Sequence, residues 1–443
     1  MKSFFQRILP GIFGEKSSPG QNAATAAAEP AANHLLPTIS SRCPLISSQG
    51  DIVGFEFRLG EDIQRRISHR TNQSAKVAYV RAVLASAHLV TQSGRIGLAR
   101  LPADCLVHAV DFDTLVDVWI AVDQCNDEFD LEAAAQALHT LHTQGAKVAW
   151  DASINVPLTP DFVIFRQDDQ PMPMVLNALK SRPQALLALP DMVTDIATFE
   201  DLELALQSGV SYVCGALTPN SIPVEAKQAL PVSPEMGRIG QLLNQLVTGA
   251  QTDVIVTNIK GDVGLSYRLL QRINTASFAH LNAGASIDQA VLMIGRDELY
   301  RWLSLLLFQF SGKRKVSSAL QEVALWRSRF MELLAIEHHE EVPSQLFTLG
   351  LASMMSPILK ISLTDVMSIL CLHEFAKQAL LEQSGPWHVY LELMRHIESQ
   401  NLVDTSPVAE QFGGVAHITA LADDAWSWAW SATHTKPGSD ARA

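Results

Sequence analysis

Along the first half of the chain, short apolar runs alternate with stretches that carry apolar residues at helical spacing. DIVGFEFRL, GRIGLARL, DVWIAV, AKVAWD, DFVIFR, ALLALP and SYVCGAL are the runs; SAKVAYVRAVLASAHLV, DLEAAAQALHTLHTQG and FEDLELALQSG lie between them. Runs that are continuously apolar, without a polar face, predict strands buried on both sides, which means a parallel sheet covered on its outside. About seven strands in roughly 190 residues suit either a (β/α)8-type barrel or an open doubly wound sheet, and the pattern leaves the two equal. After Pro231 the strands stop. SPEMGRIGQLLNQLV, VGLSYRLLQRINTASF, SSALQEVALWRSRFMELLAIEHH and WHVYLELMRHIESQ all show helical periodicity. Ser286 with Gln289 forms a capping-box pattern ahead of one further helix. The fold class is therefore α/β followed by all-α.

The flanks read differently. Residues 15–34 are rich in Ala, Ser, Pro and Gly and cannot bury enough surface to offset their ordering entropy, so residues 1–37 are expected to be a disordered segment or linker. The expected domains are then 38–230, 231–405 and a C-terminal tail at 406–443. In that tail Trp426, Trp428 and Trp430 fall on every second position, which predicts a strand-like or irregular segment with one aromatic face.

Composition narrows the classes of function. A formal net charge of -13 argues against a nucleic-acid surface, which rests on clustered Lys and Arg. Five scattered cysteines with no CxxC pair suit a reducing cytoplasm and offer no zinc site. No apolar run is long enough to span a bilayer.

Over residues 40–405 the sequence resembles the EAL-HDOD signalling proteins of bacteria. The residues that carry the resemblance are the helix LSYRLL, the N-x-A-x-F turn after it, the I-x-x-A-V-x-x-I-G helix and a following R-W helix, all within 261–308. The resemblance implies a degenerate EAL barrel, of a kind whose active members hydrolyse cyclic di-GMP with two metal ions, and then a helical HDOD bundle. It places the signature Glu-Ala-Leu at Glu56, Phe57 and Arg58. A metal-binding Asn falls at Arg100, and a strand Glu at Ala121, two residues before Asp123. The paired aspartates fall at Asp151 and Ala152, and the Lys of the next strand at Ile164. Asp191 matches one late carboxylate and Thr194 replaces another, while Cys214 stands for a Gln.

Two divalent cations held about 4 Å apart need several anionic oxygens. Here Glu56, Asp151 and Asp191 are the remnants, and Arg100 brings a positive charge to the cation site. In the second half, Ser353 and Met354 take the places of the His-Asp metal pair of HD phosphohydrolases. No catalytic residue, metal or cofactor is therefore expected. The expected function is that of a cytoplasmic, non-catalytic scaffold whose HDOD half meets regulatory protein partners, with a role in motility or biofilm control implied by the resemblance alone. A cyclic di-GMP receptor using Arg58, Arg100 and Arg166, and a residual phosphodiesterase, are the alternatives; nucleotide binding is not the leading expectation.

Other chemistry-bearing groupings have plainer readings. EHHEE at 337–341 reads as a solvated helix end, since adjacent His338 and His339 diverge by about 100° on a helix. His373-Glu374 lacks the second His of an HExxH motif. His139 and His142 share a helix face without an acidic or Cys partner nearby in sequence. The basic run RLGEDIQRRISHR reads as surface.

Overall fold

The computed structural model describes residues 41–58, 73–112, 115–123, 130–150, 159–168, 170–215, 232–273, 286–310, 317–370, 372–398 and 407–434. The expected N-terminal segment, most of the basic run, Asp151, Ala152 and the N-x-A-x-F turn at 274–278 lie outside them.

The first half contains strands β1 (Ser41–Ser47), β2 (Ile52–Arg58), β3 (Ile96–Pro102), β4 (Val118–Asp123), β5 (Lys147–Trp150), β6 (Val163–Arg166), β7 (Asp191–Ile196) and β8 (Tyr212–Gly215). Four helices are interleaved with them: α1 (Gln73–Thr91), α2 (Leu131–Thr143), α3 (Met172–Lys180) and α4 (Phe199–Gln207). Local chemistry sets their starts. Asp130 caps α2 by accepting from the backbone N–H of Glu132 and Ala133, and Thr198 caps α4 through the N–H of Asp201. The sheet runs in the order β5-β4-β3-β2-β1-β8-β7-β6. β1 is antiparallel to both its neighbours, and every other pairing is parallel.

Inward side chains decide between barrel and open sheet. Leu45, Leu98, Trp119, Ala149, Ile164, Met192 and Cys214, drawn from seven strands, meet in one buried cluster, which an open sheet would divide between two faces. The structure is thus a nearly closed barrel. β5 and β6 share no ladder, but Asp161 links the gap: its N–H donates to Val148 O at 2.9 Å and its Oδ2 accepts from Val148 N at 2.8 Å. Outside, α1 crosses β3 at Gly97, where a Cβ would stand 2.0 Å from the Ala87 carbonyl oxygen.

The second half is helical: α5 (Pro234–Val247), α6 (Thr252–Lys260), α7 (Val263–Ile273), α8 (Ile287–Ile294), α9 (Arg296–Leu307), α10 (Ser317–Glu337), α11 (Pro343–Leu359), α12 (Leu363–Ile369), α13 (Glu374–Lys377) and α14 (His388–Glu398). The Ser286–Gln289 capping box is present at the start of α8. α10 and α11 cross so closely that a Cβ on Gly350 would be 2.6 Å from Ser328 Cα. Among the described residues no helix is long and apolar enough to cross a membrane.

The tryptophan segment corrects the sequence expectation. It is a helix, α15 (Val415–His434), and not a strand-like tail. Its buried residues Ile418, Leu421, Ala425, Trp426 and Ala429 recur every three or four positions, and this spacing outweighed the two-residue spacing of the tryptophans. Trp426 and Trp430 fall one turn apart on one side, while Trp428 points the other way. Trp426 stacks on Trp326 of α10 at 4.7 Å and meets the ring of Phe55 of β2 edge-on at 4.9 Å. Trp428 turns toward Phe347 of α11, with ring centroids 6.0 Å apart.

α15 and α10 supply what the barrel lacks. β1 and β2 are joined directly by the turn at 48–51, with no helix between them, and the outward Phe55 of this hairpin is covered from the bundle side. The N–H of Ala319, in α10, donates to Gly50 O at the hairpin tip at 3.0 Å. Arg95, at the entry to β3, sends its guanidinium into a socket of Glu322 (2.6 Å) and the Trp430 ring (3.9 Å to its centroid). Arg42 of β1 pairs with Asp423 of α15 and lies over the Phe55 ring at 4.3 Å. The described residues of barrel and bundle belong to one compact unit.

Candidate functional site

Parallel strands deliver their C-terminal ends to one rim of the barrel, and the charged residues collect there. Glu56 and Arg58 end β2, Arg100 lies near the end of β3, Asp123 ends β4, Arg166 ends β6 and Asp195 lies near the end of β7. Arg100 is the centre of this group and is completely buried. Its Nε and Nη2 donate to Asp123 Oδ1 at 3.0 and 2.6 Å, and its Nη1 donates to Asp195 Oδ2 at 2.9 Å and to Glu56 Oε1 at 3.5 Å. Arg58 pairs with Asp195 and lies 3.4 Å from Glu56 Oε1. Arg166 donates from Nε to Asp195 Oδ2 at 3.1 Å and pairs with Asp168 at 3.2 Å. The second Glu56 oxygen, Oε2, is buried without a hydrogen bond among the described residues.

The electrostatics follow from this arrangement. Burial works against the charge on Arg100, but Asp123, Glu56 and Asp195 more than offset it and hold its pKa well above the ordinary value. Arg58 behaves alike, burial being outweighed by Glu56 and Asp195. Asp195 is the reciprocal case: burial would raise its pKa, yet Arg100, Arg58 and Arg166 together drive it far below the usual 3.8. A carboxyl with a depressed folded pKa contributes its stability fully above its unfolded pKa and loses it as the pH falls through that value toward the folded one. Asp195→Asn is therefore expected to destabilise the protein at pH 7 and to flatten the acid limb of a stability-against-pH curve below about pH 4, as measured by urea unfolding.

Asp195 is the residue that sequence reasoning missed. Its φ is +56°, and the pairing of β7 with β8 slips between Val193 and Ile196. This bulge turns Asp195 into the rim beside Thr194, where simple alternation would leave it facing outward. Asp tolerates the left-handed region better than most residues, but nothing in DMVTDI announces a bulge.

Other anticipated positions fall elsewhere. Asp191 is at the opposite, N-terminal end of β7, where it accepts from Arg182 Nη1 at 2.8 Å and from Ser211 N at 2.7 Å; it does not join the rim. The strand direction explains this, since the four residues to Asp195 span the barrel's height. Ile164 and Cys214 lie one layer deeper, in the apolar interior, and Cys214 Sγ is 3.8 Å from Cys43 O. On β6 the rim residue is Arg166. Glu56 and Arg100 are brought together; Asp151 and Ala152 lie outside the described residues.

In the bundle, Met354 is fully buried and Ser353 is bound locally: its Oγ accepts from Arg327 Nη1 at 2.9 Å and donates to Gly350 O at 2.6 Å. Arg327 also grips Glu398, with Nε to Oε1 at 3.0 Å and Nη2 to Oε2 at 2.7 Å. Residues 231–379 match the family described as the HDOD domain. That segment is an HDOD domain. Glu398 and α15 lie beyond the matched residues, so the Arg327 pair joins the HDOD domain to the helix that follows it.

Two curated relatives and a solved structure complete the comparison. The chain is 29% identical over 174 residues to the uncharacterized protein YuxH of Bacillus subtilis, covering 39% of this chain and 42% of that protein. It is 28% identical over 200 residues to the cyclic di-GMP phosphodiesterase CdgJ of Vibrio cholerae, covering 45% of each. The chain thus spans less than half the length of these relatives. The YkuI protein of Bacillus subtilis, with an EAL domain, solved with cyclic di-GMP and calcium, is similar over 41% of this chain and 54% of its own, at 14% identity and a TM-score of 0.29.

The remaining groupings are accounted for by local contacts. His338 meets Phe412 edge-on, and Glu340 accepts from Trp387 Nε1 at 3.3 Å and Tyr390 Oη at 3.1 Å, which anchors the helix end. His373 caps α13 by accepting from Phe375 N at 3.2 Å. His142 lies 3.4 Å from Asp161. Among the described residues no three His, Cys, Asp or Glu side chains are placed to hold one metal ion.

Proposed function

We propose that this protein is a non-catalytic signalling scaffold, in which an EAL-like barrel has exchanged metal ions for arginine and the HDOD domain offers surfaces to regulatory protein partners in the cytoplasm. The observation that carries this reading is the Arg100 guanidinium, which takes up oxygens of Glu56, Asp123 and Asp195 together. A two-metal centre needs those oxygens free, and the residues present do not fit one. A guanidinium supplies a single positive charge and no Lewis acidity, so it cannot turn a bound water into hydroxide as divalent metal does. The kinship with CdgJ supports a place in cyclic di-GMP signalling.

Incubation of the purified chain with cyclic di-GMP and Mg or Mn is the test. No turnover is expected, and linear product formation that disappears in Glu56→Ala would overturn the reading. Calorimetric titration of the same nucleotide separates the second reading, that of a receptor. Arg58 and Arg166 favour it, because their side chains remain 25% and 29% exposed at the rim and are suited to phosphate. Micromolar binding without turnover would establish that receptor in place of a pure scaffold.

A further inference from the structure

We propose that Cys43 and Cys214 form a reversible oxidation site inside the barrel, where a peroxide joins them in a disulfide that staples β1 to β8. The inference is independent of whether the barrel binds a nucleotide.

The two cysteines lie 171 residues apart in sequence, and the closure of the barrel brings them together. The β1–β8 ladder runs from Ser47 opposite Tyr212 to Leu45 opposite Cys214, and Cys43 stands two residues further toward the rim. Residues two apart on a strand share a face. Cys43 and Leu45 therefore both point inward, and with Cys214 they belong to the buried interior cluster. Cys43 and Cys214 are thus diagonal neighbours across an antiparallel pair. Each sulfur reaches toward the other's strand: Cys43 Sγ donates to Gly215 O at 3.5 Å, and Cys214 Sγ donates to Cys43 O at 3.8 Å. Both are thiols in this structure.

Their surroundings give the two thiols different roles. Cys43 is 7% exposed and Cys214 1%, so a small oxidant reaches Cys43 first. Arg58 is near enough for its charge to interact with Cys43, and a thiolate formed there has a counter-ion at the rim. Burial pushes the Cys214 thiol up, and its contact with the Cys43 thiol adds to this, so Cys214 stays protonated and reacts second. In the first step the Cys43 sulfur attacks hydrogen peroxide and the O–O bond breaks, leaving Cys43 as a sulfenic acid and releasing one water. In the second, the Cys214 sulfur attacks the sulfenic sulfur, the S–O bond breaks, and the Cys214 proton leaves with the hydroxyl as a second water. Two thiols are oxidised and one peroxide is reduced. The contacts given up are weak ones, since S–H is a poor donor. Cys43 also faces Glu56 in the β1–β2 ladder, so the staple closes beside the carboxylate that Arg100 holds and stiffens that side of the rim.

The test treats the full chain, first reduced and in native buffer, with a molar excess of hydrogen peroxide, then alkylates it in denaturant and maps its peptides by mass. A Cys43–Cys214 linked peptide is expected, lighter by two hydrogens than the two separate peptides and released by dithiothreitol. The oxidised chain is expected to unfold at a higher urea concentration than the reduced one, because the crosslink closes a long loop. In Cys214→Ser the reaction is expected to stop at a Cys43 sulfenic acid that dimedone traps, while in Cys43→Ser Cys214 is expected to stay a thiol. Wild-type protein in which both cysteines are still alkylated after peroxide would overturn the proposal. So would a linked peptide that forms only when peroxide is added in urea, Cys43 carried on to sulfinic acid with Cys214 untouched, or a linked chain whose urea midpoint does not rise.

Discussion

Replacing Arg100 with alanine is expected to lower folding stability by about 3–5 kcal/mol, the cost of leaving buried charge without its partner. The reason is the asymmetry of the rim. Arg100 has no exposed surface, while Glu56 is 2% and Asp123 9% exposed, so water cannot replace the lost guanidinium. Arg58 and Arg166 remain, but both already bind Asp195. Urea unfolding followed by circular dichroism should show a lower midpoint with an unchanged slope. Arg100→Ala combined with Asp123→Ala should regain part of the loss, since it removes one of the stranded carboxylates. A single variant as stable as the wild type would mean that Arg100 is not the counter-ion of this site, and the scaffold reading would lose its main support.

Arg95→Ala should do comparable damage at the junction of the two halves. Glu322 is 2% exposed, and Arg95 lies 2.6 Å away. Burial raises the Glu322 pKa even with Arg95 opposing it, so without Arg95 the ionised form is worse still. A loss of about 3–5 kcal/mol is expected near neutral pH. The sign of its pH dependence is fixed: a carboxyl with a raised folded pKa costs stability as the pH rises through the titration and costs none below it, so the deficit should shrink on acidification. Glu322→Leu together with Arg95→Met replaces the pair with apolar groups of similar shape and should restore most of the loss. A double variant as unstable as Arg95→Ala would show that the cost comes from lost packing against Trp430 and not from Glu322.

The sequence carried the architecture further than the site. Continuously apolar strands pointed to a covered parallel sheet, and the helical periodicity after Pro231 pointed to the bundle, because both signals repeat over many residues. Whether the sheet closes depends on stagger and on Asp161 linking β5 to β6, which no local pattern expresses. The rim was legible where a residue sits in regular alternation, as Glu56 and Arg100 do. It was not legible at Asp195, where a one-residue bulge reverses the alternation, or at Asp191, where the distance along a strand had to be judged without knowing which end faces the rim. α15 departs from the strand-like expectation because Ile418, Leu421, Ala425 and Ala429, whose three-to-four spacing determines the helix, are small or aliphatic and are overlaid by an unrelated even spacing of three tryptophans.

The pairing of Arg42 with Asp423 spans 381 residues of sequence. On a ribosome adding about 5–20 residues per second, the first hairpin waits on the order of 20–80 s before the helix that covers its outer face has been made. During that interval the face of the hairpin that carries Phe55 stays open, so its packing is completed only after nearly the whole chain has been made.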